Sequence, residues 1–201
     1  MQWSADGKSL YQIETWPVSD GNGLTAHLTA QVTVRQLRDL TKGRTYPAVK
    51  TLDWDADVMV HDGRALVRQY NSDNAFEFPV QEWQLDQPAS TMKNWTLHAP
   101  KGRVFIDYLP SPDMKRAVWV MGVPSTKVSG MGQGGYPFYA LSLWSSDVRG
   151  ENMRELGAIS FRSRKYEDLM DEYQSFGEVE WNPDGKHVSF IYSRKLYWIE
   201  A

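Results

Sequence analysis

A short corner motif occurs near both ends of the chain, as Trp3-Ser4-Ala5-Asp6-Gly7-Lys8 and as Trp181-Asn182-Pro183-Asp184-Gly185-Lys186. Each copy runs into a β-prone stretch, Ser9-Leu10-Tyr11-Gln12-Ile13 after the first and His187-Val188-Ser189-Phe190-Ile191-Tyr192 after the second. Asp-Gly specifies a tight reversal, because the Asp side chain caps nearby backbone N–H groups and Gly accepts the positive φ of the turn. Asp6, Gly7, Asp184 and Gly185 are therefore expected to be structural turn residues, with Trp ending one strand and the apolar run opening the next. A recurrence of this kind constrains the fold more than any local propensity, since single repeats cannot bury their apolar faces and must stack on neighbours.

A weaker copy, Pro110-Ser111-Pro112-Asp113-Met114-Lys115, precedes Ala117-Val118-Trp119-Val120-Met121 and gives Asp113 the same turn role. The fourth anchor is either Trp54-Asp55-Ala56-Asp57 or the turn His61-Asp62-Gly63-Arg64. The anchors fall about 50 to 70 residues apart, against roughly 40 to 50 for propeller blades, which predicts long loops. Between them, Leu24, Ala26, Leu28, Ala30, Val32 and Val34 alternate with polar residues, the period-two signature of a half-buried strand. Tyr139–Trp144 and Lys195–Ile199 read as further strands. The one helical pattern lies at Arg164–Gln174, with Tyr166, Leu169, Met170 and Tyr173 on one side. These observations predict an all-β fold, a single propeller-type domain over 1–201 with about four antiparallel blades. The blades are placed at 1–44, 45–101, 102–164 and 165–201. The last holds Phe176–Trp181, His187–Tyr192 and Lys195–Ile199 and lacks a fourth strand. A partial propeller is therefore expected, completed by another segment or a second chain, a homodimer included.

Composition supports packed sheets: of 201 residues 41% are hydrophobic, with 9 Trp, 10 Tyr and 7 Phe. A net charge of −3 with scattered basic residues argues against a nucleic-acid partner. Cysteine is absent, which excludes disulfides and cysteine-ligated zinc. The longest apolar run, 117–123, is far short of the roughly 20 residues that a membrane helix needs, so no membrane span is predicted. No signal peptide is visible at Met1, and the chain opens inside a repeat, so the gene product is expected to begin further upstream.

The pattern Trp-Ser/Asn-Ala/Pro-Asp-Gly-Lys, an apolar strand, and then Lys195-Leu196-Tyr197 resembles the TolB-like, WD-type propeller repeat. That repeat is also found in the propellers attached to prolyl-oligopeptidase-type serine peptidases. The resemblance covers about a quarter of the chain and rests on turn and packing residues, so it implies a fold and transfers no activity. It implies a cell-envelope binding or scaffold role and slightly favours an exported or periplasmic location.

Candidate chemistry is sparse. Gly130-Met131-Gly132-Gln133-Gly134-Gly135 matches G-x-G-x-x-G, but it runs into Tyr136-Pro137-Phe138 and a strand where a dinucleotide site requires a helix. The long Gly-rich loop around it makes Gly130, Gly132, Gln133, Tyr136, Phe138 and Tyr139 the candidate binding residues. Asp53, Asp55 and Asp57 suggest calcium, yet an EF-hand loop needs Gly and Glu where Val58 and Arg64 stand, so no metal site is expected. The acidic group Glu167, Asp168, Asp171, Glu172, Glu178 and Glu180 reads as a solvated face. His27, His61, His98 and His187 share no ligand spacing, and His61-Asp62 is an adjacent pair in a turn. Trp16, Trp83, Trp95 and Trp144 are weighted toward packing over a sugar or peptide groove. No nucleophile elbow, H-E-x-x-H or P-loop occurs. The expectation is a non-catalytic module that presents loops to a protein or peptide partner, without a cofactor. The alternative is the accessory propeller of a larger enzyme such as a serine peptidase.

Overall fold

The computed structural model describes residues 2–3, 10–19, 28–37, 43–50, 56–61, 63–69, 76–88, 91–124, 138–160 and 176–201. Among these residues every regular element is a β-strand. Strands β1 (Gln2–Trp3), β2 (Leu10–Ser19), β3 (Leu28–Leu37), β4 (Gly43–Thr45) and β5 (Val49–Lys50) form the first sheet. Strands β6 (Ala56–His61), β7 (Arg64–Gln69), β8 (Glu77–Gln84) and β9 (Lys93–His98) form the second. The third holds β10 (Val104–Pro110), β11 (Arg116–Pro124), β12 (Phe138–Asp147) and β13 (Arg154–Ser160), and the fourth β14 (Phe176–Trp181), β15 (His187–Tyr192) and β16 (Lys195–Glu200). Successive strands are neighbours throughout, except that β5 pairs with β3 alongside β4, and every pairing with a described register is antiparallel. The helical pattern at Arg164–Gln174 lies outside the described residues.

The corner motifs are the local cause of this arrangement. At the last corner the Asn182 N–H donates to His187 O at 2.8 Å and the Gly185 N–H to Asn182 O at 2.9 Å. At the weaker copy the Ser111 N–H donates to Arg116 O and the Met114 N–H to Ser111 O, both at 2.8 Å. The two turns thus make the same pair of main-chain hydrogen bonds at equivalent positions. Gly185 has φ +62° and Met114, in the equivalent place, +51°. Met114 bears the positive φ although L side chains disfavour it, and its side chain is 1% exposed, so packing outweighs the local cost. For the fourth anchor the structure selects His61–Arg64: these two residues pair across the turn and Gly63 has φ +73°. Asp57 is then part of β6, opposite Arg68. The strand expected from Leu24 runs as β3 from Leu28 to Leu37, so it extends past Val34, where Gln36 ends the apolar alternation. Of the first corner, Trp3 is seen paired with Leu10, and Asp6 and Gly7 lie outside the described residues.

The chain forms two compact units, Met1–Asn71 with Phe78–Thr96 and Ser72–Glu77 with Leu97–Ala201. In the first unit Tyr11, Val32, Val34 and Tyr46 pack with Val58, Val60, Ala65, Val67, Trp83 and Leu85. The alternation of β2 and β3 puts Tyr11, Ile13, Val32 and Val34 on one face, and that face meets the inward side chains of β6 to β8. In the second unit Val118, Val120 and Leu143 from the third sheet meet Val179, Val188 and Ala201 of the fourth. Burial of each such side chain contributes roughly 1.5–3 kcal/mol, which makes this sheet-on-sheet packing the main source of stability.

The inner strands of the third sheet, β11 and β12, are buried on both faces. Trp119 and Met121 point away from Val118 and Val120 and are also fully buried. The Trp119 ring lies 4.5 Å from Tyr108 and 5.1 Å from Phe105, and its Nε1–H donates to Ser146 Oγ at 2.8 Å. The run Ala117–Val123 is accordingly apolar throughout, as a two-faced strand requires.

Candidate functional site

The fourth sheet differs from the third in having one open face. Register pairs Val188 with Ile199 and Phe190 with Tyr197 on the face toward the third sheet, and Ser189 with Trp198 and Ile191 with Leu196 on the other. Glu180, opposite Ser189, joins that second face. Leu196 is 72% exposed, Trp198 68% and Ile191 49%. Side chains this apolar on a two-residue alternation are spaced to be covered, and together they exceed the scattered apolar residues of an ordinary surface. An open hollow of about 310 Å³ lies here, lined by Glu180, Ser189, Phe190, Ile191 and Leu196.

The corner of the same sheet sets the electrostatics at one end of this face. The Asp184 carboxylate accepts from the Lys186 N–H at 2.8 Å and the His187 N–H at 3.1 Å, and lies 2.6 Å from His187 Nδ1. The Lys186 N–H, then the His187 ring and the His187 N–H, hold its carboxyl at about 2, below the ordinary 3.8. The His187 ring meets Trp198 edge-on at 5.1 Å. At the equivalent corner burial pushes Asp113 upward, but the Ser111 hydroxyl, the Lys115 N–H and the charges of Lys115 and Arg116 outweigh it, and the carboxyl ends below its ordinary value. Arg116 ties the third sheet to the fourth: its guanidinium donates to the carbonyls of Gly185 and Ala201 and lies 5.6 Å from the centre of the Trp181 ring. The Trp181 Nε1–H in turn donates to Leu109 O at 2.9 Å. The Trp of the corner motif is thus a packing and hydrogen-bonding residue, as its chemistry predicts.

Of the candidate binding residues, Gly130, Gly132, Gln133 and Tyr136 lie outside the described residues. Phe138 and Tyr139 open β12, with Phe138 opposite Pro124. Asp113, Asp184 and Gly185 sit in the turns, Asp184 as the side-chain cap. Asp53 and Asp55 fall outside the described residues, and among those described no cluster of three or more His, Cys, Asp or Glu could hold a metal. Glu180 is exposed on β14, whereas Glu167, Asp168, Asp171 and Glu172 are not among the described residues. Trp83 is a core residue at 3% exposure, and Trp144 donates its Nε1–H to Ser142 Oγ at 2.9 Å. Trp16, weighted toward packing, is instead 60% exposed: its register partner is Gln31, on the face of β2 and β3 away from the core.

Sequence reasoning passed over two features. His187 was one of four scattered histidines, yet the corner brings it onto Asp184, and the i,i+3 spacing inside the motif was the available signal. The turn Asp147–Gly150 repeats the capping chemistry, with Asp147 Oδ1 accepting from the Arg149 and Glu151 N–H groups, both at 2.9 Å. The arrangement can pair an apolar surface with main-chain hydrogen bonding. The described side chains include one exposed His–Asp contact, His187 with Asp184. The fold thus defines a class, an all-β protein of small antiparallel sheets built from consecutive strands. The sequence matches no model of a known protein family and no curated protein.

Proposed function

We propose that the chain is part of a β-propeller and serves as a non-catalytic binding or scaffold module for a protein or peptide partner. The observation that carries this reading is the residue-for-residue equivalence of the corners at 110–116 and 181–187, each joining two strands of its own sheet. Supporting it, the inner strands of the third sheet bury both faces while the fourth sheet buries one and leaves Ile191, Leu196 and Trp198 in solvent. That is the pattern of stacked blades with an uncovered last member. An exposed apolar face beside exposed main-chain groups suits an extended polypeptide better than a small polar metabolite.

Two measurements test the proposal. The purified chain is expected to show no turnover on a panel of chromogenic peptidase, esterase and glycosidase substrates. Turnover that persists through repurification overturns the non-catalytic role. A crystal structure is expected to show the sheets arranged radially about one axis, and two continuous face-to-face layers would refute the propeller.

A further inference from the structure

We infer that the edge of β16, unpaired among the described residues, pairs with the same edge of a second copy of this chain, antiparallel about a two-fold axis at Tyr197. The inference does not depend on the propeller reading. It starts from the main chain. Tyr192 and Lys195 flank the two-residue turn Ser193-Arg194, whose φ values of 48° and 63° mark a tight hairpin turn. Tyr192 and Lys195 are therefore a hydrogen-bonded pair, and Tyr197 and Ile199 face β15 in the same way. At the far end the Ala201 N–H donates to Lys186 O at 2.9 Å, in phase with this pattern. The N–H and C=O groups of Leu196, Trp198 and Glu200 thus point outward. In the third sheet the corresponding third strand, β12, fills its edge with β13, and in the second sheet β8 carries β9. In the fourth sheet β16 is the last strand in the described order.

A two-fold axis normal to the sheet keeps each residue on its own face, so only registers centred on a residue are allowed. Centring on Trp198 would set Leu196 against Glu200 of the second copy. Centring on Tyr197 sets Leu196 against Trp198 and Trp198 against Leu196 on the exposed face, and brings Arg194 of the turn level with Glu200 at both ends. The most exposed apolar residues then cover each other, and the flanking charges are opposite. This charge complementarity selects a second copy over an arbitrary extended peptide, which would have to supply the same alternation and an acidic and a basic end. Outward Leu196, Trp198 and Glu200 provide the matching ladder of donors and acceptors, giving one continuous sheet of six strands.

Analytical ultracentrifugation of the full chain across micromolar to several hundred micromolar concentrations reads the result. A monomer–dimer equilibrium is expected. R194E and E200R, both at exposed positions, each place like charges across the axis and are expected to weaken the dimer about tenfold. Mixed one to one, the two variants restore opposite charges at both ends of a heterodimer, and association is expected to recover. Far-UV circular dichroism checks that each variant is folded. Amide exchange by NMR is expected to slow at Leu196, Trp198 and Glu200 on dimerisation. A monomer at every concentration overturns the inference, and if those amides are already slow in it, another segment of the polypeptide holds the edge. A dimer indifferent to both charge reversals, or one that the mixture fails to restore, overturns it equally.

Discussion

Replacing Arg116 with Met tests whether the third and fourth sheets are held together as described. Arg116 opens β11, yet its guanidinium donates to the carbonyls of Gly185 and Ala201 and lies over the Trp181 ring. Met keeps most of the aliphatic stem and removes only the charged fork. Hydrogen bonds to charged groups contribute about 1.5–3 kcal/mol each, and a partly exposed carbonyl regains some of that from water. Taking the lower end for both bonds gives about 3 kcal/mol, to which the cation–π contact adds roughly 0.5–1 kcal/mol. Urea unfolding followed by tryptophan fluorescence reads the loss directly, with Trp119, Trp144, Trp181 and Trp198 all in the second unit. Calorimetry adds a second reading. If the second unit unfolds alone, each kcal/mol lowers Tm by about 4–8 °C; if the chain unfolds as one, by about 2–4 °C. R116K is expected to recover less than half of the loss, because an ammonium is a single point charge and cannot fork between two carbonyls. A loss under about 1 kcal/mol for R116M would refute the claim that this residue staples the two sheets.

Gly150 has φ +80°, and a Cβ there would lie 2.8 Å from Leu97 Cδ2, so G150A is expected to destabilise by about 2 kcal/mol in the same urea assay. M114G relieves a left-handed residue worth about 1–2 kcal/mol but deletes a fully buried side chain worth about 2–5 kcal/mol. Burial wins, and a net loss of stability is expected, where a gain would show that backbone strain dominates this corner. Asp184 titrates in the folded chain at about 2, below the ordinary 3.8, so its contribution is present above about pH 4 and fades as pH falls toward 2. D184N is therefore expected to flatten the stability profile between pH 4 and 2, and an unchanged slope in acid titrations would contradict this.

The corner motifs were legible because their chemistry is local. Asp-Gly-Lys after a strand end needs little beyond its own backbone to turn, and the turn at 181–187 forms as its residues specify, whereas that at 110–116 also relies on the burial of Met114. The ambiguous anchor near Trp54 was settled only by strand pairing, since Ala56–His61 and Arg64–Gln69 form a hairpin whatever Trp54-Asp55 resembles. The contact between Asp184 and His187 was within reach of sequence, as both belong to one motif. Arg116 was not, because its partners Gly185 and Ala201 stand 69 and 85 residues away.

The sequence by itself determined the element type and the turns, because alternation and turn chemistry act over a few neighbouring residues. Tertiary structure alone decided which faces are covered. β16 sets Leu196 and Trp198 on one face of its sheet as β11 sets Trp119 and Met121, yet Trp119 is fully buried and Trp198 lies open. The unbroken apolar run of β11 hints at cover on both faces, but whether a given face is buried depends on what packs against it.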